Sequence, residues 1–424
     1  MKKIIKAIGY VGLSHLGLNY LAAAAEKRFN VIGYDENENL ISNLKRDSNI
    51  ISEPGLGNLL KKNKKNISFT FNLRDIKNCD LVFISLDIPT NKDNRSDLNK
   101  INNLIFRLKK VLNKNSNIII LSQVPPGYTQ KINWRKKNLY YQVETLIFGK
   151  AVNRALNPER IIVGSYKKDL NISKKYFLYL SKFKCPVLQM DYISAELCKI
   201  SINTFLVSNI TTTNLLAELC EKIGASWSSI YPALQLDKRI GKYSYIKPGL
   251  GISGGNLERD IKTLTDLSTK LKLSKKIFKN YIENSIQRKN WIYKNLKKFY
   301  LNKRNSIKKI GILGLSYKEN TDSIKNSPAI NLIKKLKKIK VLVYDPKVSN
   351  IGFGKNIERK ESIKKVLRGI DVLVICTPWP EFRKIKTNQL VRNVKRKIII
   401  DPFQIFNKDK LREKGFLYKS LGEN

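Results

Sequence analysis

The sequence predicts an α/β protein in which two regions of alternating strands and helices flank an all-helical middle. Three observations carry this. A short apolar strand at the N-terminus runs into a glycine turn and then a helix. From Ser194 to about Glu221 the pattern changes to long helical periodicity with neither Gly nor Pro. Strand–helix alternation then returns at Lys309. Strands separated by helical segments build a parallel sheet, because parallel neighbours need a long crossover connection.

In order, residues 3–11 read as a strand, Leu13–Lys27 as a helix and Asn30–Tyr34 as a strand ending in Asp35. Leu81–Leu86, Asn117–Ser122, Arg160–Gly164 and Pro186–Gln189 supply further strands of the first region. The middle holds the helix from Ser194 and a second helical stretch from Asp260 to Tyr300, with the glycine-rich loop 248–255 between them. In the last region Lys309–Leu313, Lys340–Asp345, Asp371–Cys376 and Lys397–Asp401 read as strands, and Pro328–Leu336 as a helix. The expected domains are 1–190, 191–300 and 301–424, with the lysine-rich stretch 296–309 as the link before the last one. No repeat of solenoid period is present, although both outer regions are βαβ-built.

A chain of 424 residues with 42% hydrophobic content is long and apolar enough for two or three cores. Its 81 Lys and Arg against 34 Asp and Glu give a formal charge of +47. Such an excess invites a nucleic-acid or anionic-membrane reading. The basic residues are spread along the whole chain, however, and rise together with Asn and Ile, as AT-rich codon usage produces. The charge therefore reads as compositional drift, and no specific nucleic-acid partner is expected. A positive field still attracts dianionic ligands.

The five cysteines, at 79, 185, 198, 220 and 376, form no C-x-x-C pair. That predicts a reducing compartment and no metal site. His15 is the sole histidine. No stretch approaches the ~18 apolar residues of a membrane span, so no membrane partner is expected. Met1-Lys-Lys and the apolar residues after it superficially resemble a signal peptide, but Lys6, His15 and Asn19 interrupt the apolar run. The expectation is a cytoplasmic protein.

Ala7-Ile-Gly9-Tyr10-Val11-Gly12 lies at a strand-to-helix turn. A dinucleotide fingerprint asks for three glycines here; the second and third are present and the first is Ala7. Asp35 closes the next strand 23 residues after Gly12, close to the ~20-residue spacing of a ribose-binding carboxylate. A carboxylate there accepts from ribose hydroxyls and repels a 2′-phosphate, which favours NAD over NADP. The N-terminus of the following helix would face the pyrophosphate with unpaired N–H groups. The bland alternative is an ordinary tight turn with a solvated Asp35. His15, one turn into the helix, reads as a packing or surface residue.

Further motifs follow in order: Glu53-Pro-Gly-Leu56, Ser122-Gln-Val-Pro-Pro-Gly127, Ala195-Glu-Leu-Cys-Lys199 with Asn203, Asp237-Lys-Arg239-Ile-Gly241, the loop Gly249–Asp260, and Tyr317-Lys-Glu-Asn-Thr-Asp322 leading to Ser327-Pro328. With Gly9-Tyr-Val-Gly12 this ordered set resembles the UDP-glucose/GDP-mannose dehydrogenase family over nearly the whole chain. The resemblance implies an N-terminal Rossmann-like NAD domain, a helical central domain that forms a homodimer, and a C-terminal Rossmann-like nucleotide-sugar domain. It implies oxidation of a sugar's primary alcohol to a carboxylate in two hydride transfers to NAD, for surface polysaccharide precursors. It further implies capture of the intermediate aldehyde by a cysteine thiolate.

By the same resemblance, Lys199 and Asn203 correspond to a catalytic lysine and asparagine. They are four apart on a predicted helix and share a face. Asp260 corresponds to an aspartate that assists bases or water, and Glu144 to a glutamate linked to thioester hydrolysis. Pro89 and Gln123 join Gly9, Tyr10, Val11, Gly12 and Asp35 as cofactor-binding candidates; Gln123 stands where the family usually has threonine. Lys318 and Lys325 correspond to basic residues of the nucleotide-sugar domain, with Lys325 replacing a usual arginine. Arg239 resembles an arginine reaching into the neighbouring subunit's site. Gly251 and Gly254 belong to the substrate loop. Simpler readings are a surface ion pair of Lys199 with Glu196, a helix-start charge at Asp260, and a plain flexible connection at the glycines.

Asn256 occupies the place of the family's cysteine, four residues before Asp260. A carboxamide forms no thiohemiacetal, because nucleophilic capture needs a thiolate or its equivalent. Cys198 is no obvious substitute, since adjacent helical positions point about 100° apart. The first oxidation needs only NAD, a positioned alcohol and a base, and a lysine of lowered pKa serves as such a base. Three outcomes stay open: the acid through an aldehyde hydrate, release of an aldehyde or keto sugar, or binding without turnover. Two other classes compete. Another NAD-linked dehydrogenase, such as a hydroxyacid or 6-phosphogluconate enzyme, would not need the second βαβ domain. A nucleic-acid-binding protein would show steep salt dependence.

Overall fold

The computed structural model describes residues 5–47, 53–91, 93–297, 307–337, 339–349, 352 and 354–423. The chain forms two compact units, Met1–Ile202 and Asn203–Asn424. Residues 3 and 4 of the expected first strand, Tyr300, and most of the expected link at 296–309 lie outside the described residues.

Unit 1 is built on an eight-stranded sheet of β1 (Ile8–Val11), β2 (Val31–Tyr34), β3 (Ile67–Thr70), β4 (Leu81–Ile84), β5 (Asn117–Ile120), β6 (Leu139–Gln142), β7 (Ile161–Ser165) and β8 (Val187–Asp191). The strand order is β3-β2-β1-β4-β5-β6-β7-β8. Its first six strands follow the doubly wound order of dinucleotide-binding sheets. The sheet is not parallel throughout as the sequence suggests, because β6 and β7 run antiparallel, with Tyr141 opposite Gly164. β1, β4 and β5 are buried on both faces, as a sheet covered by helices requires. The helix His15–Glu26 packs against it with residues 16–25 all buried, and its run of four alanines lets it lie close.

Unit 2 carries a six-stranded parallel sheet of β9 (Lys309–Leu313), β10 (Lys340–Tyr344), β11 (Ile357–Arg359), β12 (Ile370–Ile375), β13 (Val394–Ile400) and β14 (Leu417–Lys419). Its order, β11-β10-β9-β12-β13-β14, is the same permutation as the first six strands of unit 1. The helical part preceding it includes the later turns of the helix Tyr192–Ile223, then Trp227–Leu236, Asn256–Lys270, Lys276–Lys289 and Trp291–Leu296. The expected single stretch from Asp260 is thus three helices. The first break is made by Lys272 in the left-handed region (φ 57). The N–H of Leu273 returns to the carbonyl of Ser268 at 2.8 Å, closing that helix end.

The crossover turn after the first strand is built the same way in both sheets. Gly12 has φ 98 and Gly314 has φ 92. A Cβ on Gly12 would lie 2.9 Å from the backbone nitrogen of Leu86, and one on Gly314 would lie 2.6 Å from that of Thr377. Only glycine fits either place. The carboxylate ending the second strand then accepts turn N–H groups: Asp35 from Leu13 at 2.8 Å, Asp345 from Leu315 at 2.7 Å and Ser316 at 3.0 Å. The two carboxylates differ in what else they hold. Asp35 stays partly exposed and takes one more N–H, from Asn37 at 3.0 Å. Asp345 is fully buried and also accepts from the Ser316 hydroxyl, the Trp379 indole, and the N–H groups of Lys347 and Val348. Burial alone would raise the Asp345 carboxyl, but these N–H groups outweigh it and hold its pKa below the usual value.

Two further contacts position loops that matter below. Glu196, fully buried, accepts the N–H groups of Gly127 and of Thr129 (2.8 Å), which ties down the Ser122–Gly127 loop. In unit 2, residues 421–423 dock on the helical part. Trp227 donates its N–H to the Gly422 carbonyl at 2.8 Å, and Glu221 accepts the Gly422 N–H at 2.9 Å. Glu423 accepts the Ser226 and Ser228 hydroxyls at the start of the helix Trp227–Leu236.

The contrast between the two carboxylates is measurable. Asp345→Asn lowers the free energy of unfolding by about 3 kcal/mol, because a buried acceptor of many donors is replaced by a group that accepts at one atom only. Asp35→Asn lowers it by less than about 1.5 kcal/mol, since water replaces what is lost. Denaturant titration of both variants, followed by tryptophan fluorescence, gives the two numbers.

Candidate active site

At the carboxyl ends of β1, β2 and β4, unit 1 encloses a cavity of about 390 Å³ lined by Gly12, Asp35, Glu36, Leu86 and Arg107 among others. This is the switch point of a doubly wound sheet, where such folds take their ligand. The helix His15–Glu26 begins directly after the Gly12 turn, so its unpaired N–H groups and positive dipole end belong to this corner. Ser85 braces the turn by donating its hydroxyl to the Gly12 carbonyl at 2.9 Å; no sequence motif had singled it out. Gly9 and Val11 lie in β1 beneath the turn. Tyr10 gives its ring to the core, stacked on Phe83 at 4.9 Å, which leaves its backbone alone for any part in cofactor binding. Pro89 lies exposed beyond β4, its carbonyl accepting the Asp97 N–H at 2.8 Å. Gln123 is buried just after β5.

Unit 1 also brings Lys199 and Glu144 together. The Lys199 amine lies 2.7 Å from Glu144 Oε1, with the two side chains 9% and 13% exposed. Glu144 follows β6, and its other oxygen accepts the Leu146 N–H at 3.0 Å. The loop behind it is anchored by Glu53, which accepts the N–H groups of Gly149 and Ala151, each at 2.9 Å. Glu53 also meets His15 Nε2 at 2.8 Å, and the His15 ring stacks on Phe148. His15 is therefore a packing residue of this corner. The simpler reading of Lys199 as a surface partner of Glu196 does not hold, since Glu196 is buried on the Gly127 loop. Cys198 packs against the core of unit 1. A nearly buried amine touching a carboxylate can take up a proton and pass it on over one short hydrogen bond.

In unit 2, Asn203 donates its side-chain amide to Asp260 Oδ2 at 2.5 Å. Asp260 is 2% exposed, and Arg259 Nε stands 3.5 Å from its other oxygen. Asn256 is the first residue of the helix Asn256–Lys270, exposed, and one turn before Asp260 on the same face. The glycine loop ahead of it is clamped on both sides. Next to Gly251, the Ile252 N–H is held by Ser285 Oγ at 2.8 Å. Gly254 donates to the Lys325 carbonyl at 3.1 Å and accepts from the Asn326 side chain at 2.8 Å. A Cβ on Gly254 would fall 3.1 Å from the Tyr317 ring. The loop is a rigid seat and not the plain flexible connection that its glycines also allowed.

Lys325 runs beside Gly255. Burial lowers the pKa of its amine, the nearby Arg259 charge adds to this, and Glu258 opposes it. The amine of Lys318 lies 5.7 Å from the centre of the Tyr317 ring. Lys325, Arg259 and the start of the helix Asn256–Lys270 make this corner of unit 2 suited to an anion. Arg239 stands apart, largely exposed and bonded through two nitrogens to Asp237 at 2.6 and 3.0 Å. Among the described residues no group of three or more His, Cys, Asp and Glu is disposed to hold a metal ion, and no helix is long and apolar enough to cross a membrane.

Comparison with known proteins gives a consistent picture. Residues 6–179 match the NAD-binding domain of the UDP-glucose/GDP-mannose dehydrogenase family, 193–285 its central domain and 311–408 its UDP-binding domain. The chain is 31% identical to the UDP-glucose 6-dehydrogenase of Rickettsia prowazekii, covering 98% of each chain. It is 28% identical to one from Bacillus subtilis, covering 99% of this chain and 93% of that protein. In fold it is similar to a UDP-glucose dehydrogenase from Pyrobaculum islandicum, with a TM-score of 0.87 at 22% identity, covering 100% and 99% of the two chains. A UDP-D-ManNAc dehydrogenase from Pyrococcus horikoshii gives 0.83 at 24%, covering 98% and 99%. An NAD-binding sheet, a helical centre and a second Rossmann-like sheet all follow one family plan, and this chain, an NAD-dependent oxidoreductase, belongs to the UDP-glucose/GDP-mannose dehydrogenase family.

Proposed function

We propose that the protein oxidises the C6 alcohol of a UDP-sugar, or of a GDP-sugar, and that its second half-reaction runs without a covalent enzyme intermediate. The observation that carries the first step is the Lys199–Glu144 pair, a nearly buried amine 2.7 Å from a carboxylate. Lys199 as the neutral amine takes the hydroxyl proton of the sugar, and the Glu144 carboxylate orients it and balances the ammonium that forms. NAD, when bound, accepts the hydride that leaves the same carbon. Alcohol and NAD+ thus give aldehyde, NADH and a proton.

The nucleotide side of the substrate falls to Lys318 and Lys325, with Arg239 supplied by a neighbouring subunit. Gly251 and Gly254 shape the seat for the sugar. Lys325 neutralises phosphate as a point charge and lacks an arginine's two-pronged grip. For the second step Asn256 takes the place of the family's cysteine. Asn256 and Asn203 hold an aldehyde hydrate by hydrogen bonds, and Asp260, fixed by Asn203, accepts its proton. Hydrate and a second NAD+ then give the acid, NADH and a proton. Release of the aldehyde, and binding without turnover, are the two other outcomes. Retention of Lys199, Asn203 and Asp260 speaks against the second of these.

A homodimer completes this reading. On the helix Tyr192–Ile223, Phe205, Leu216, Leu219 and Ile223 are 73%, 44%, 51% and 68% exposed. Their spacing of eleven, three and four places them in one stripe. Such a stripe on a long helix is suited to a second copy of itself.

Three measurements test these proposals. With a panel of UDP- and GDP-sugars, the hydrate route yields two NADH per sugar and the mass of the uronic acid. One NADH with an aldehyde mass shows release, and none sinks catalysis on those substrates. Asn256→Cys is expected to speed the second oxidation by about tenfold or more, because a thiolate restores covalent capture. For the dimer, Leu219→Glu places a charge in the stripe and is expected to give a monomer in light scattering at micromolar concentration, where the unaltered chain gives a dimer.

A further inference from the structure

The cofactor cavity of unit 1 contains an arginine that is already engaged. Arg107, on the helix Asn99–Val111, lines the cavity together with Tyr34, Asp35 and Glu36, three consecutive residues at the end of β2. Its Nη1 is ion-paired with Glu36 Oε1, and its Nη2 donates to Tyr34 Oη at 3.1 Å. In sheets of this order, a carboxylate ending the second strand takes the ribose hydroxyls of NAD, whereas an arginine nearby accommodates the 2′-phosphate of NADP. Here both groups share one cavity. What separates the two cofactors is whether the guanidinium fork is available.

We propose that Glu36 is a cofactor-specificity residue, whose carboxylate occupies Arg107 and thereby denies a 2′-phosphate its counter-ion. With Arg107 held this way, a phosphate entering beside the ribose meets two carboxylates, Asp35 and Glu36, and one guanidinium already in use. Without the Glu36 charge, the fork can form two charge-assisted bonds to phosphate oxygens. The pair has little to do with holding the fold. The Arg107 and Glu36 side chains are 42% and 63% exposed, and exposed ion pairs contribute only ~0–1 kcal/mol. A contact of little structural value, placed where the cofactors differ, is accounted for by selectivity. The inference rests on the cofactor cavity alone and on neither the sugar nor the second oxidation.

The test is calorimetric binding of NAD+ and of NADP+ to the full chain, for the unaltered protein, Glu36→Gln, and Glu36→Gln combined with Arg107→Gln. Glu36→Gln is expected to lower the ratio of the NADP+ to the NAD+ dissociation constant by about tenfold or more, as a freed bidentate partner would. The double variant is expected to return most of that change. A ratio within twofold of the unaltered protein's in Glu36→Gln, or a fall that persists in the double variant, overturns the role of Glu36. An unaltered chain that binds neither dinucleotide overturns the cavity itself as the cofactor site. Glu36→Asp, whose shorter side chain withdraws from the guanidinium, is expected to shift the ratio the same way by less; thermal unfolding of each variant confirms that it is folded.

Discussion

The carboxylate that ends the second strand of each sheet, by accepting N–H groups of the turn after the first strand, sets the geometry on which both halves of the protein depend. It holds two neighbouring chain crossings in register at the point where a doubly wound sheet opens. Gly12 and Gly314 make this possible by leaving room for the strand next door. From one shared device, two different corners result. Around Asp345 the Ser316 hydroxyl, the Trp379 indole and two further N–H groups close in, and no acceptor capacity faces outward. Around Asp35 the space is left as a cavity. That difference explains why the dinucleotide corner is the first one, although the two sheets have the same strand order.

A second constraint concerns how so basic a chain uses its few acids. Asp35, Glu53, Glu196, Asp345, Asp371 and Asp401 all accept backbone N–H groups of loops or strand starts. Lysine has donors only, so none of these places tolerates the residue that dominates the rest of the chain. Glu53 and Glu196 fix the loops that flank the Lys199–Glu144 pair. The Lys199–Glu144 pair is thus bordered by loops anchored through carboxylates that are themselves out of solvent. Most of the basic residues lie on the surface, with Lys199, Arg259 and Arg288 as buried exceptions, and several loops are organised by buried anions.

Much of this was legible in the sequence because it depended on local pattern. Apolar runs bounded by glycine and asparagine marked most strands, and Asp35 and Gly12 were readable from spacing. The short strands β3, β6, β11 and β14 escaped, since three or four residues with mixed polarity carry no period. The helix Trp227–Leu236 escaped as well, with Pro232 in its interior disguising it. At the site, family resemblance pointed to Lys199, Asn203, Asp260 and Glu144, and the structure pairs them as Lys199 with Glu144 and Asn203 with Asp260. The roles of Glu53, Glu196 and Ser85 were not readable, because each acts on backbone groups far away in sequence. Tyr10 shows the reverse case: it sits within a binding motif, yet its ring belongs to the core.

The docking of Gly422 and Glu423 onto Trp227, Glu221, Ser226 and Ser228 has a consequence for synthesis. That helix leaves the ribosome about 200 residues before its partners exist. At roughly 5–20 residues per second, the delay is about 10–40 s. Until then Trp227 and the apolar face around it have no cover from Gly422. Nascent protein is therefore open to chaperones or to premature pairing at this place, and a ribosome stalled before Gly422 would leave the helical layer unlatched.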